Sequence, residues 1–148
     1  MADKKRSAPP QRASGVAVAE QLTAALSLRD ADSKFQAVAE TAPCAIFIYR
    51  EDKFIYGNPA AEVITGYSLP ALYQMRFYDL VHPEFRKYIM ERAAARQRGE
   101  LATSRYELRI LPHDGTERWV DLTAKLIDFE GQPSVLGIAF DITERKQA

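Results

Sequence analysis

Cysteine, histidine and paired carboxylates are the side chains from which most protein chemistry is built, and this chain is sparing with them. It holds one cysteine, Cys44, and two histidines, His82 and His113, in 148 residues. A lone thiol can neither close an internal disulfide nor build a multi-thiolate zinc site, and two isolated histidines make no metal site without further spaced ligands. Cys44 begins an apolar run, where a small buried thiol acts as a packing residue. Glu62, Asp79 and Asp121 have no spacing that sets up an acid–base pair, and solvated or capping roles account for them. The seven glycines are scattered at turns instead of forming a phosphate-cradling loop, and no serine lies in a nucleophile elbow. The residue inventory points away from an enzyme and toward a binding module.

The totals narrow this further. Lysine plus arginine and aspartate plus glutamate both count 20, so the net charge is zero and nothing pulls the chain toward nucleic acid. At 47% hydrophobic residues the chain can fill one core, and its length suits one domain. The lone cysteine fits a reducing cytoplasm. No apolar run of secretory length comes after Lys4, Lys5 and Arg6, and Cys44 to Tyr49 is far too short to span a bilayer.

The elements that must position any site can be read from periodicity. Residues 1 to 15 read as a flexible basic tail with Pro9 and Pro10. Val18, Leu22, Ala25 and Leu26 share one side of a flanking helix over residues 16 to 29 that needs something to pack on. The domain proper runs from 30 to 145. Phe35, Val38 and Ala39 recur at helical spacing up to Thr41, and Pro43 closes that turn. Cys44 to Tyr49 and Phe54 to Tyr56 form a hairpin. Asn58 and Pro59 give a cap and then a first helical proline, and Gly66 ends the short helix that contains Val63 and Ile64. Val81-His82-Pro83 breaks the chain before the longest helix of the domain, Pro83 to Arg98. In that helix Phe85, Tyr88, Ile89 and Ala93 make the apolar stripe, with Arg86, Lys87, Arg92 and Arg96 facing solvent. Three strands finish the chain: Ser104 to Leu111, Arg118 to Phe129 and Ser134 to Ile142. They are joined by turns at Asp114-Gly115 and at residues 130 to 133. Two strands, a group of helices and three strands make an α+β fold with helices on one face of an antiparallel sheet.

This order resembles the PAS family of sensory modules, found in bacterial signal-transduction proteins. Phe54 to Glu62 (FIYGNPAAE) is similar to its second strand and asparagine-capped first helix. Gly66-Tyr67-Ser68 is similar to the turn after that helix, and Val81-His82-Pro83 to the loop before the long helix. Asp114-Gly115 followed by Trp119-Val120 is similar to the hairpin of its third and fourth strands. Asp141-Ile142-Thr143-Glu144-Arg145-Lys146 resembles the exit motif that couples such domains to a downstream segment of the chain. The resemblance implies a five-stranded sheet of order 2-1-5-4-3 with a pocket between sheet and helices. Inward residues would then be Tyr106, Leu108, Ile110, Val120, Leu122, Ala124, Val135, Gly137 and Ala139, facing Val63, Met75, Phe77, Leu80 and Ile89. These residues either fill a core or line a ligand cavity, with Gly137 and Ala139 leaving room near the sheet centre.

The outer face of that sheet is unusually apolar: Leu136, Ile138 and Phe140 alternate with the inward set, and Trp119 joins them. Such a patch marks a contact surface. The flanking helix, through Val18, Leu22 and Leu26, is expected to cover it and take part in a homodimer. By resemblance, Asp141 and Thr143 tie the last strand to the helix after it, so that strain in the sheet alters how that helix leaves; the plainer reading is a strand end and a helix cap. Residues 146 to 148 lead toward a downstream segment, so the chain reads as a fragment of a larger receptor or as a short protein that signals by association.

The resemblance bears on cofactors too. Haem-binding relatives ligate iron from the long helix, which here holds no histidine; His82 stands one residue too early. Light-oxygen-voltage relatives bond flavin through a cysteine before an Arg-Phe pair, where this chain has Met75-Arg76-Phe77. Their polar flavin contacts are Ile110, Val120 and Ala139 here, which leaves a flavin's polar edge unpaired. No cofactor is thereby identified. The expected partners are a small-molecule ligand, a second copy of the chain and a downstream kinase or cyclic-dinucleotide effector; a ligand-free dimerisation module is the alternative.

Overall fold

The computed structural model describes residues 15–26, 31–100 and 103–147. Of the basic tail expected over residues 1 to 15, residues 1–14 lie outside the described residues, as do residues 27–30, where the flanking helix was expected to finish; Gly15 already belongs to that helix. The elements are α1 (Gly15–Leu26), α2 (Ala31–Thr41), β1 (Ala45–Arg50), β2 (Lys53–Gly57), α3 (Pro59–Thr65), α4 (Leu69–Leu72), a 3₁₀ turn (Phe77–Leu80), α5 (Pro83–Gln97), β3 (Thr103–Ile110), β4 (Arg118–Phe129), β5 (Gln132–Asp141) and α6 (Thr143–Gln147). All strand pairs are antiparallel, in the order β2-β1-β5-β4-β3.

Local chemistry sets the helix ends. Asn58 Oδ1 accepts the Ala61 N–H at 3.1 Å, Pro59 supplies the preset φ of a first helical residue, and Gly66 closes α3 at φ 77°. Ser68 caps α4 in the same way, through the Ala71 N–H at 3.3 Å. Asn58 also does more than cap. It is fully buried, accepts the Ile46 N–H at 2.9 Å, and donates to the carbonyls of Ala39 (2.7 Å) and Cys44 (3.0 Å). One side chain thus joins the end of α2, the start of β1 and the start of α3.

The period of two along each strand splits the core into two clusters, one on each face of the sheet. On the inner face Ala45, Tyr49, Leu108, Val120, Ala124, Val135 and Ala139 pack with Ile64 and Ile89 from the helices. On the outer face Ile46, Ile48, Ile127, Leu136 and Ile138 pack with Ala19 and Leu22 of α1 and Phe35 and Ala39 of α2. The helices between β2 and β3 pack on one face, therefore, and the two N-terminal helices take the other. The chain enters α1 at Gly15, so close to Thr123 of β4 that any side chain there would collide with it.

Candidate functional site

Between the inner sheet face and the helices lies an internal cavity of about 80 Å³ with almost wholly apolar walls. Ten of the expected pocket residues line it: Phe77, Leu80, Ile89, Tyr106, Leu108, Ile110, Val120, Leu122, Ala124 and Ala139. The other four do not. Met75 packs against the inner core and Val135 is buried within it, but neither reaches the space. Val63 is 72% exposed, because Ala61, Ile64 and Thr65 are the buried residues of α3 and a one-residue offset turns a side chain by about 100° on a helix. Gly137 leaves no room: the Phe47 ring lies directly on it, where a Cβ would sit. In place of these four, β1 and β2 supply Ala45, Phe47, Tyr49 and Phe54, and α4 supplies Leu69 and Leu72. The alternation of β1 carried that signal, since Ala45, Phe47 and Tyr49 are two residues apart.

The largest departure from expectation is Arg96. Expected in solvent, it is 1% exposed. Its guanidinium lies behind two wall residues of the cavity, donating to Tyr49 Oη (3.1 Å), to Ser104 Oγ (2.6 Å) and, at the limit of a hydrogen bond, to Tyr106 Oη (3.5 Å). Spacing would have revealed it, because Ile89, Arg92, Ala93 and Arg96 recur at i, i+3, i+4 and i+7 on one helical stripe. Tyr88, assigned to that stripe, is instead 44% exposed.

The remaining candidates are structural. His82 Nδ1 accepts the Glu84 N–H at 3.1 Å at the start of α5, and His113 meets the Tyr67 ring edge-on at 4.9 Å. Cys44 is buried, and burial pushes its thiol up, away from the reactive thiolate. Asp121 is tied by two hydrogen bonds to Arg105, at 3.0 and 2.7 Å, and Glu62 accepts the Leu69 N–H at 2.7 Å. Asp79 accepts the Arg76 N–H at 3.0 Å, so the three carboxylates serve three separate local contacts.

On the outer face Leu22, Leu136 and Ile138 are fully buried, with Val18 and Phe140 packed around them; the Leu26 side chain lies outside the described residues. Trp119 is not part of this patch. Its ring meets Phe85 edge-on at 5.7 Å and sits under the Lys146 ammonium at 4.7 Å. It belongs to the exit of the domain. There the Trp119 carbonyl accepts the Ile142 N–H at 2.9 Å, and the Trp119 N–H donates to Thr143 Oγ1, also at 2.9 Å. Asp141 Oδ1 accepts the Thr143 N–H at 2.9 Å while Oδ2 faces Arg118 at 3.1 Å. Beyond, Arg145 and Lys146 of α6 both reach Glu107 on β3, at 2.8 and 2.9 Å. Their hydrogen bonds, Arg145 first, hold the Glu107 carboxyl down at about 2.

A family model described as PAS fold matches residues 54–139, more than half of the chain. The chain belongs to the PAS family. Among curated proteins, the PAS chain is 28% identical over 126 residues to the sensor histidine kinase TmoS of Ectopseudomonas mendocina, covering 83% of this chain and 13% of that protein. It is 25% identical over 137 residues to the methyl sulfide methyltransferase-associated sensor of Methanosarcina acetivorans, covering 90% of this chain and again 13% of the relative. The chain therefore spans only a small part of the length of these two sensors. Among solved structures, a PAS domain from Colwellia psychrerythraea superposes with a TM-score of 0.66 at 23% identity, over 76% of this chain and 98% of that one. That likeness carries the fold. Among the described residues, no helix is long and apolar enough to cross a membrane.

Proposed function

We propose that this PAS domain is a sensory module that takes a small, largely apolar molecule into the cavity between sheet and helices and relays its presence through Asp141 and Thr143. The carrying observation is that one strand serves both places. Val120 and Leu122 of β4 line the cavity, and Trp119, one residue earlier, holds the exit through both of its backbone polar groups. A ligand that shifts β4 acts on the Ile142 and Thr143 contacts directly, and strand geometry leaves little slack between adjacent residues. The sensor names of both curated relatives support the reading, with a kinase as the effector class closest to hand. No catalytic step is assigned to the domain.

Native mass spectrometry of the untreated full chain tests this. Added mass that disappears on denaturation is the expected result. A bare chain that also takes up neither xenon nor benzene, probes suited to a dry apolar cavity, would overturn it and favour a ligand-free module. The same spectrum reports the proposed homodimer. Because α1 already covers the outer face within one chain, a dimer formed there would use the outward side of α1, where Glu20 and Gln21 are exposed.

A further inference from the structure

Arg96 is a buried cation without an anion. The ion pairs among the described residues do not include it, its partners are three neutral hydroxyls, and its Nε has no hydrogen-bond partner. A guanidinium stays protonated under all ordinary conditions, so the charge cannot be shed. Taking it out of water without a counter-ion costs several kcal/mol.

The two phenols deepen the imbalance. Tyr49 and Tyr106 both line the cavity, and both use their oxygen to accept from Arg96. Each keeps its own O–H proton, and neither hydroxyl donates a hydrogen bond among the described residues. Arg92 adds a second cation on the same side. Its Nε is also buried and unpartnered, and its guanidinium lies 5.4 Å from the Tyr88 ring, which meets Tyr106 edge-on at 5.7 Å. Behind the Tyr49 and Tyr106 wall of an apolar cavity, therefore, donors and positive charge exceed acceptors. Ground-state packing alone gives no reason for this, since an aliphatic side chain at position 96 would fill the space without the desolvation cost.

We infer that the ligand brings the missing anion: a small molecule with an apolar body and a single carboxylate, the carboxylate seated against the Tyr49 and Tyr106 hydroxyls with Arg96 behind them. Resting as it does on the ligand-binding reading above, this assignment adds the chemical class. The apolar body meets Phe77, Leu108 and Val120, and the carboxylate accepts the two phenolic protons. Charge-assisted hydrogen bonds of this kind are about twice as strong as neutral ones.

Isothermal titration calorimetry of the full chain with the straight-chain acids from butanoate to decanoate, each paired with the primary alcohol of equal length, tests the class. At the best chain length the acid is expected to bind about tenfold tighter than its alcohol, or more. Arg96→Met, and separately the Tyr49→Phe and Tyr106→Phe pair, should bring the ratio of acid to alcohol affinity at that length from about tenfold to within about threefold of one. The tyrosine variants keep the rings and so carry the test if Arg96→Met fails to fold. Equal binding of acid and alcohol by the natural chain would overturn the anion assignment and leave the cavity reading intact. Binding of neither series at any length would overturn both.

Discussion

Asn58→Ala removes a side chain that holds three elements at once, and the cost can be worked out group by group. The Ala61 N–H keeps a backbone partner, the Asn58 carbonyl at 3.0 Å, and the Ala39 carbonyl keeps a long contact from the Ala42 N–H at 3.4 Å. The Ile46 N–H and the Cys44 carbonyl lose the side-chain partner shown for them, in a site with no exposure. A buried polar group left unsatisfied costs about 1–3 kcal/mol, and loss of the cap about 1 kcal/mol more. With two such groups the total is about 3–7 kcal/mol, against a global stability of about 5–15 kcal/mol for a domain of this kind. With a urea slope of about 2 kcal/mol per M, the unfolding midpoint should fall by roughly 1.5–3.5 M. Urea titration followed by Trp119 fluorescence and by far-ultraviolet circular dichroism measures it. Asn58→Asp should also destabilise, because it keeps the acceptors but loses both donors and buries a charge. A midpoint shift below about 0.5 M for the alanine variant would refute the reasoning, since the stranded groups would then have found other partners.

Three further outcomes are expected from the packing and the exit. Gly137→Ala drives a methyl into the Phe47 ring; a loss of about 1–3 kcal/mol is expected in chemical denaturation, with Phe47 displaced toward the cavity in an NMR or crystal structure. Leu22→Ala empties a fully buried position between α1 and the outer sheet face and should cost about 2–5 kcal/mol; a thermal midpoint equal to that of the natural chain would show that α1 does not stay docked. The depressed Glu107 carboxyl stabilises the fold fully above the ordinary glutamate range, and that contribution is lost as pH falls toward about 2. Because Glu107 is more than a third exposed, the stability at stake is under about 1 kcal/mol. An NMR titration should place its midpoint near 2, and Arg145→Ala should raise it; an ordinary midpoint in the natural chain would mean that α6 is not held there.

How much of this was visible in the residues depended on how local the determining interaction is. Strand alternation agrees with seven of the wall residues, Tyr106 to Ala139 on β3, β4 and β5, because sheet pleat converts a period of two directly into sides. Asn58, Pro59 and Gly66 marked α3 because caps act within a turn. Val63 failed because a seven-residue helix offers too few turns for its apolar face to be phased from sequence. Arg96 is hidden for another reason: arginine is by type a surface residue, and only its spacing from Ile89, at i+7, places it on the buried stripe. Two features had no local signal. The bond from Asn58 to the Ala39 carbonyl spans 19 positions, and the placement of Phe47 over Gly137 depends on β1 pairing with β5 in one particular register, Phe47 opposite Gly137.

The two-faced burial of β5 has a consequence for sequence change. From Ser134 to Ala139 every residue is buried, odd positions toward the cavity and even ones toward the sheet face beneath α1. On β3, by contrast, Ser104, Tyr106 and Leu108 are buried while Arg105 and Glu107 are exposed. A codon-by-codon library should therefore find β3 tolerant at Arg105 and Glu107 between its buried positions, and β5 tolerant nowhere from Ser134 to Ala139. Drift is then freer on the edge strand β3, and the middle of the central strand can change only in concert with neighbours on both of its sides.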